Sequence, residues 1–480
     1  MRNIKERIPK HIPYWIFAAS VLVGLTLPIL IQEGMFMDAM LYTSVSHNLG
    51  QGIGTFWFPQ FSKLNLYGLS AFHEQPPLVF GIQALFFKVL GDSVYVERFY
   101  TFTCLVVTAL LIVVLWREIF KKNEEFKGLG WLPLILWITI PVCFWSFSNN
   151  MHENSMGIFT LASVYFSYRG LRSQDKNILW FLLAGFAIFL ATMSKGIPGF
   201  FPLGVPILYW LVFRSISLKE GIYFTLKILF VPFLLYSILF VLPESSQSLS
   251  TYLFERALHR INSDPTVSSR FYVFERLVSE LIPQILITGL IVFITRKRGY
   301  LTKIRENKLD IVFFFLLGIS GSLPLVLTMV QKGFYMVPSF PFFGIGFGLI
   351  LAPMALDLVN FYSSKVKLLL LLSVLVFGGV LIFAGCQIGK ISRDKELILD
   401  IKNMGVIVPK YSVVKSSPEL LNDWELQCYL IRYLNISLDY KPFHQYLILK
   451  KNSTPIDDQT YEKIPIQTEL YDLYQKSQAK

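Results

Sequence analysis

The sequence predicts an all-α polytopic membrane protein with a small α/β domain at its C-terminal end. Three observations predict it. Of 480 residues, 54% are hydrophobic and only 16% are charged, where a soluble chain carries about a quarter. Apolar runs of about 18 or more residues recur along the chain, which is the length a helix needs to cross a bilayer. Beyond about residue 390 these runs stop and mixed charge takes over. A membrane β-barrel would show alternating segments of about ten residues, whereas these runs are continuous.

The N-terminal MRNIKERIPKHIPYW is basic and leads into an apolar run from Pro13 to about Gln32. That run is too long for a signal peptide and lacks a small-residue cleavage site. It reads as an uncleaved first helix that starts in the cytoplasm. Further spans are expected at roughly 96–118, 129–148, 155–170, 178–194, 198–214, 221–242, 281–295, 309–330, 334–353 and 367–388, about eleven in all. The net charge of +12 lies scattered in short loops, as the positive-inside rule expects of cytoplasmic connectors. That scatter argues against nucleic acid as a partner. The four cysteines, Cys104, Cys143, Cys386 and Cys428, have neither disulfide nor metal spacing.

Between the first two long runs lies the polar stretch Glu33–Pro77, then the apolar segment Leu78–Leu90. Thirteen helical residues rise about 20 Å, short of a core about 30 Å thick. If this segment crossed, the basic connectors at Lys121–Lys127, Arg169–Lys176 and Arg296–Lys308 would all lie outside. As an interfacial helix on the outer face it keeps them cytoplasmic. Four further places then share the outer side with the polar stretch. They are NNMHEN (Asn149–Asn154), the Ser194-Lys195-Gly196 turn, the long loop Glu244–Glu280 and the tail. Residues 1–390 are thus expected to form a membrane domain, with 33–95 as its first external loop. Residues 391–480 are expected to form a soluble extracytoplasmic domain. In it Pro418–Asn435 reads as an amphipathic helix, and VIVPKYSVV and HQYLILKK read as strands. The sequons at Asn435 and Asn452 read as chance matches.

Asp38 lies a few residues past the first span. Partial desolvation there would raise its pKa toward that of a useful general base, and Asp is equally a good N-cap for the helix that follows. His73 and Glu74 are held by Pro76-Pro77, either as site residues or as a polar turn before a helix. Lys195 either snorkels to headgroups or contacts a phosphate, with Gly196 leaving room for the anion. Lys332 is placed like Lys195. His152 and Glu153 start another outer-facing helix, and Glu255, Arg256, His259, Arg260, Arg270 and Arg276 populate the long loop. Phe56, Trp57 and Phe58 line a groove or form an interfacial belt. No Walker loop, dinucleotide fingerprint or HExxH is present, so a soluble nucleotide donor finds no site.

MDAMLYTSVSHNLGQGIGTFW followed by FHEQPPLVFGIQALFFKVLGDSVYVERFY resembles the first external loop of the GT-C glycosyltransferases. The closest branch is that of the bacterial ArnT-like and protein-mannosyltransferase-like enzymes of the family 39/83 type. The likeness is good over roughly Glu33–Phe120. It is looser at ATMSKGIPGFFPLGVPILYW and KGFYMVPSFPFFGIGFGLILAP, and absent in the tail. It implies a GT-C-like fold in a bacterial inner membrane, with the active site on the extracytoplasmic face. It also implies transfer of a monosaccharide from a polyprenyl-phosphate carrier to an acceptor hydroxyl or phosphate on lipid A, a glycan or a protein. Asp38 matches the catalytic base of these enzymes, and Glu74 matches their acidic position before a proline. Tyr42, His73, Glu74, Glu153, Lys195 and Lys332 form the candidate set that contacts substrate or carrier phosphate. Two positions depart from the pattern. Gln75 stands where many relatives have Lys or His, and Leu41 where some have Arg. Both departures remove positive charge and leave Lys195 as the match for the phosphate partner. No cofactor is required by this chemistry, and His73 with Glu74 provides too few ligands for a divalent cation. A flippase for a lipid-linked saccharide is the alternative, and it predicts polar groups along a path through the bundle. A non-catalytic scaffold that binds a partner through its tail is the third reading.

Overall fold

The computed structural model describes residues 8–64, 71–173, 176–259, 265–296, 299–441, 443–453 and 460–477. Arg260, and Thr454 of the second sequon, lie outside them. The chain forms two compact units. One comprises Met1–Leu30, Phe102–Ser148 and Glu153–Ile388, and the other Ile31–Thr101, Asn149–His152 and Gly389–Lys480. The tail therefore does not cluster by itself. It forms one unit with the first loop.

The first unit is helical. Among the described residues, eight helices are long and apolar enough to span a membrane, and a bent pair, Glu124–Ile138 with Pro141–Phe147, makes up to nine. Two of the eleven expected spans fall short. Residues 155–170 belong to the helix His152–Arg172, which is too polar to count as a spanning helix. Residues 198–214 form a 3₁₀ stretch, Ile197–Gly204, followed by a short helix, Val205–Phe213. Pro198 and Pro202 explain the tight turn, since each removes a backbone donor. The expected loop at 244–280 is largely helical, with Pro243–Ser250, then Thr251–Ala257, and a helix Tyr272–Thr295 that starts well before residue 281.

The expected single span at 129–148 bends by 89°. Pro141 occupies the first turn of the second half, where its missing donor costs nothing. The break exposes backbone groups at both new ends, and one neighbouring helix satisfies them. Glu280 Oε2 accepts the Val142 N–H at 2.8 Å. Gln284, one turn further on, donates its Nε2 to the Leu136 carbonyl at 3.2 Å. Glu280 also holds Arg276 at 2.5 Å. The span middles thus contain more polar chemistry than the sequence indicates. Glu280→Ala is expected to leave the Val142 donor buried and unsatisfied. The cost is about 1–3 kcal/mol, read as a lower thermal midpoint in detergent, whereas Glu280→Gln recovers part of it.

The second unit is built on the helices Met37–Gly50 and Leu78–Leu90 and on the tail. The 13-residue helix Leu78–Leu90 forms where the apolar segment predicts it, and it is too short to cross a bilayer. It packs closely on the preceding helix, since a Cβ on Gly50 would lie 2.9 Å from Phe87 Cβ. The tail carries the helices Lys395–Met404 and Trp424–Leu434. It also carries strands β1 (Val413–Ser416), β2 (Ser437–Asp439), β3 (Tyr446–Lys450), β4 (Tyr461–Lys463) and β5 (Tyr471–Lys476). The sheet order is β2-β1-β3-β5-β4. β1 pairs parallel with β2 and β3, and β5 runs antiparallel to β3 and β4. Only the C-terminal part of VIVPKYSVV becomes strand. Asn435 is a buried, left-handed C-cap of Trp424–Leu434, a poor place for a glycan.

Candidate active site

Asp38 lies in the first turn of Met37–Gly50, but the helix's N-cap is Phe36. The capping role open in the sequence is therefore not the one Asp38 fills. The Phe36 N–H is instead taken by Asn149 Oδ1 at 2.8 Å. Asp38 is half-buried, and its carboxylate lies at the positive end of the helix dipole. Tyr42 is one turn along the same face. Its ring stacks on His152 with centroids 4.1 Å apart, and its hydroxyl accepts from Gln75 Nε2 at 3.4 Å. Phe80 packs edge-on against both Tyr42 and His152. Gln75 thus ties the HEQPP segment to the Asp38 helix. His73 is buried against Phe58 at 5.7 Å, and Glu74 is half-buried. Phe56 packs over Gly81 of the short helix and remains exposed.

The same helix is braced from behind. Asn150 donates to Thr43 Oγ1 and Gln83 Oε1, both at 2.8 Å. Ser44 Oγ donates to the Cys428 carbonyl of the tail helix at 2.9 Å. His47 stands nine residues after Asp38, on the opposite face. It meets Asp92 at 2.5 Å and not the Asp38 face. Arg432 of the tail is the centre of this bracing. It contacts Asp92 at 3.3 Å, the Ser93 carbonyl at 2.8 Å and Glu97 at 2.9 Å. Its side chain is 1% exposed. None of Asp92, Glu97 or Arg432 is prominent in the sequence. The available signal was an Arg on the apolar face of LQCYLIRYL, which has to find an acid if it is buried.

The start of the loop is also fastened to the tail. Glu33 and Ser392 bond through their backbones at 2.9 Å. At Gly34, φ is +87° and the Arg393 carbonyl fills the space of a side chain, so only glycine fits. Glu33 takes Lys402 at 2.7 Å and the Tyr433 hydroxyl at 2.6 Å. Burial raises the pKa of its carboxyl, but these bonds and the Arg98 charge outweigh it and leave it below the usual range. Asp92 behaves alike, with burial opposed by the bond to His47 and by the Arg432 and Lys410 charges. A depressed carboxylate stabilises above its unfolded pKa of about 4. It loses that contribution as pH falls through the folded value. Acidification from about pH 5 to about pH 3 should therefore lower the melting midpoint, and Glu33→Gln with Asp92→Asn should flatten that dependence.

In the other unit the structure brings Lys195 and Glu153 together at 2.5 Å, with side chains 9% and 1% exposed. Asn154 and Ser146 exchange hydrogen bonds beside Glu153 and fix the start of its helix. Lys195 ends the helix Ile178–Lys195, and its ammonium lies 5.2 Å above the Tyr335 ring. Gly196 has φ +76° and is closed over by the Tyr252 hydroxyl. The space beside the glycine is therefore taken by the tyrosine hydroxyl. Lys332 is exposed and precedes the turn Gly333–Ser339 that carries Tyr335. Tyr335 and Tyr252 were not singled out from the sequence, although KGFYMVP places an aromatic three residues after Lys332. Among the described residues, no three His, Cys, Asp or Glu side chains gather as metal ligands.

Residues 74–240 match the family model described as dolichyl-phosphate-mannose-protein mannosyltransferase. No curated protein matches the sequence. Among solved structures, the chain is similar to ArnT from Cupriavidus metallidurans bound to undecaprenyl phosphate. The TM-score is 0.64 at 14% identity, over 95% of this chain and 97% of that one. The apo form of that ArnT gives 0.60, also at 14% identity, over 95% and 96%. The Archaeoglobus fulgidus oligosaccharyltransferase in complex with Zn and sulfate gives 0.52 at 12% identity, over 93% of this chain and 68% of that one.

Proposed function

We propose that this chain, an ArnT-like and protein-mannosyltransferase-like protein of GT-C fold, is an inverting glycosyltransferase. It moves a monosaccharide from a polyprenyl-phosphate carrier to an acceptor hydroxyl at the extracytoplasmic face of a bacterial inner membrane. The acceptor is lipid A, another glycan or a protein. The observation that carries this reading is Asp38, set in the first turn of a helix that the loop and tail hold in place. An acceptor hydroxyl has a pKa far above neutral and needs a positioned base. Its proton passes to the Asp38 carboxylate as its oxygen bonds to C1 of the sugar. The C1–O bond to phosphate breaks on the opposite face, through an oxocarbenium-like transition state. The electron pair leaves with the polyprenyl phosphate. A phosphate monoester is a stable anion at neutral pH, so no acid need protonate it.

Lys195 is the phosphate partner in this reading. Its ammonium carries a positive charge and three donors, and it stands in an ion pair with Glu153. Electrostatic stabilisation of the leaving group then lowers the barrier. Transfer from a polyprenyl-phosphate monosaccharide, measured in proteoliposomes, tests the reading. Lys195→Ala is expected to lower turnover by about 10²-fold, and absence of transfer by the wild-type chain across a panel of such donors would overturn it.

The bent helix pair favours one further reading, a flippase, because broken helices often mark transport sites. Against it, Glu280 and Gln284 already satisfy both sides of the break. Lipid translocation retained in Asp38→Asn, without transfer in the wild type, would favour the flippase.

A further inference from the structure

A second polar site lies far from Glu153 in the same unit. Val114, Arg117, Glu118, Lys121, Glu124, Lys127, Tyr165 and Arg169 line a cavity of about 650 Å³. Glu153 and Arg169 are sixteen residues apart on one helix, about 24 Å along its axis. The lining has four cations and two carboxylates, 4 − 2 = +2. Both carboxylates are engaged, Glu118 by Lys121 at 3.4 Å and by Arg169 at 3.9 Å, and Glu124 by Lys127. Arg169 is held in place, with its guanidinium 4.3 Å from the Trp180 ring and bonded to the Tyr165 hydroxyl at 2.6 Å. Arg117 is exposed and, among the described residues, has no ion-pair partner.

We propose that this cavity binds the phosphate head of an anionic phospholipid. The apolar surface beside it decides between a lipid and a free anion. Val106, Leu110 and Val114 are 40%, 59% and 40% exposed, and their four-residue spacing makes one stripe along the helix. That stripe ends at Arg117. A phosphate in the cavity therefore has a ready track for its acyl chain, which inorganic phosphate would leave unused. Basic pockets between membrane helices hold anionic headgroups by the same combination of charge and depth.

The full chain is reconstituted in nanodiscs of mixed phosphatidylglycerol and phosphatidylcholine, and retained lipid is read by native mass spectrometry. The wild type is expected to keep phosphatidylglycerol selectively. Arg117→Gln should lower that retention about fivefold, the effect of one basic residue near an anionic surface. Arg117 has no structural partner, so its variant should fold, and an unchanged melting midpoint checks this. Equal retention of the two lipids, or unchanged selectivity in Arg117→Gln combined with Arg169→Gln, overturns the proposal. So does complete displacement of the lipid by millimolar inorganic phosphate, which would mark a site for a free anion.

Discussion

Asp38→Asn is expected to lower glycosyl transfer by about 10²–10⁴-fold, the usual contribution of a positioned base, and to leave the protein folded. The two parts of this expectation rest on different observations. Asparagine matches aspartate in size but cannot accept the acceptor's proton. The cap of the Met37–Gly50 helix is Phe36, and its backbone N–H is satisfied by Asn149. The substitution therefore removes no capping bond from Phe36. The substitution also removes a charge from the first turn, about 0.3–1 kcal/mol. Activity should therefore fall by far more than the melting midpoint does. The assay is transfer from a polyprenyl-phosphate sugar in proteoliposomes, alongside thermal unfolding of the same preparation. Full activity in Asp38→Asn would rule out the base mechanism. A matching fall in both quantities would make Asp38 a structural residue.

Arg432→Met should do the reverse, acting first on stability. Methionine keeps much of the packing over Phe87, where the guanidinium lies 5.1 Å from the ring. It removes the charge that faces Glu97 and Asp92. Breaking a buried pair from one side costs about 3–5 kcal/mol, because the remaining charge stays desolvated. Glu97 keeps Arg98 at 2.9 Å, so the lower end of that range applies. Adding Glu97→Gln should recover much of the loss, which is the signature of coupling between the two sites. Unchanged melting in Arg432→Met would show that the tail does not brace the loop through this residue. The same reasoning bears on the reading of the tail as a detachable partner-binding module. Deleting residues 391–480 would remove Arg432, Lys402, Tyr433 and the Ser392 backbone from the loop, and transfer should be lost with them.

The fold class was legible because hydrophobic run length is a local property. Each span could be recognised without knowing its neighbours, and so could the short helix at 78–90. The two spans that fell short each carry a local interruption of a long apolar helix. One, around 155–170, belongs to a helix with polar residues at both ends, and the other is interrupted by prolines. The bend near Pro141 was not legible. Its stability depends on Glu280 and Gln284, about 140 residues away, which satisfy the exposed backbone groups.

The candidate site divides in the same way. Asp38, Tyr42, His73, Glu74, Glu153, Lys195 and Lys332 could be picked out by residue type, position and resemblance. The Glu153–Lys195 pair, the Tyr335 ring below the ammonium and the Tyr252 hydroxyl over Gly196 are contacts between elements distant in sequence. So is the bracing of the Asp38 helix by Arg432. The sequence by itself determined which residues are chemically suited to the task, because charge, size and helical periodicity are written in the residue types. Only the tertiary structure decided which charges neutralise one another. Electrostatic pairing depends on separations of a few ångströms, and a chain sets those through its long-range packing.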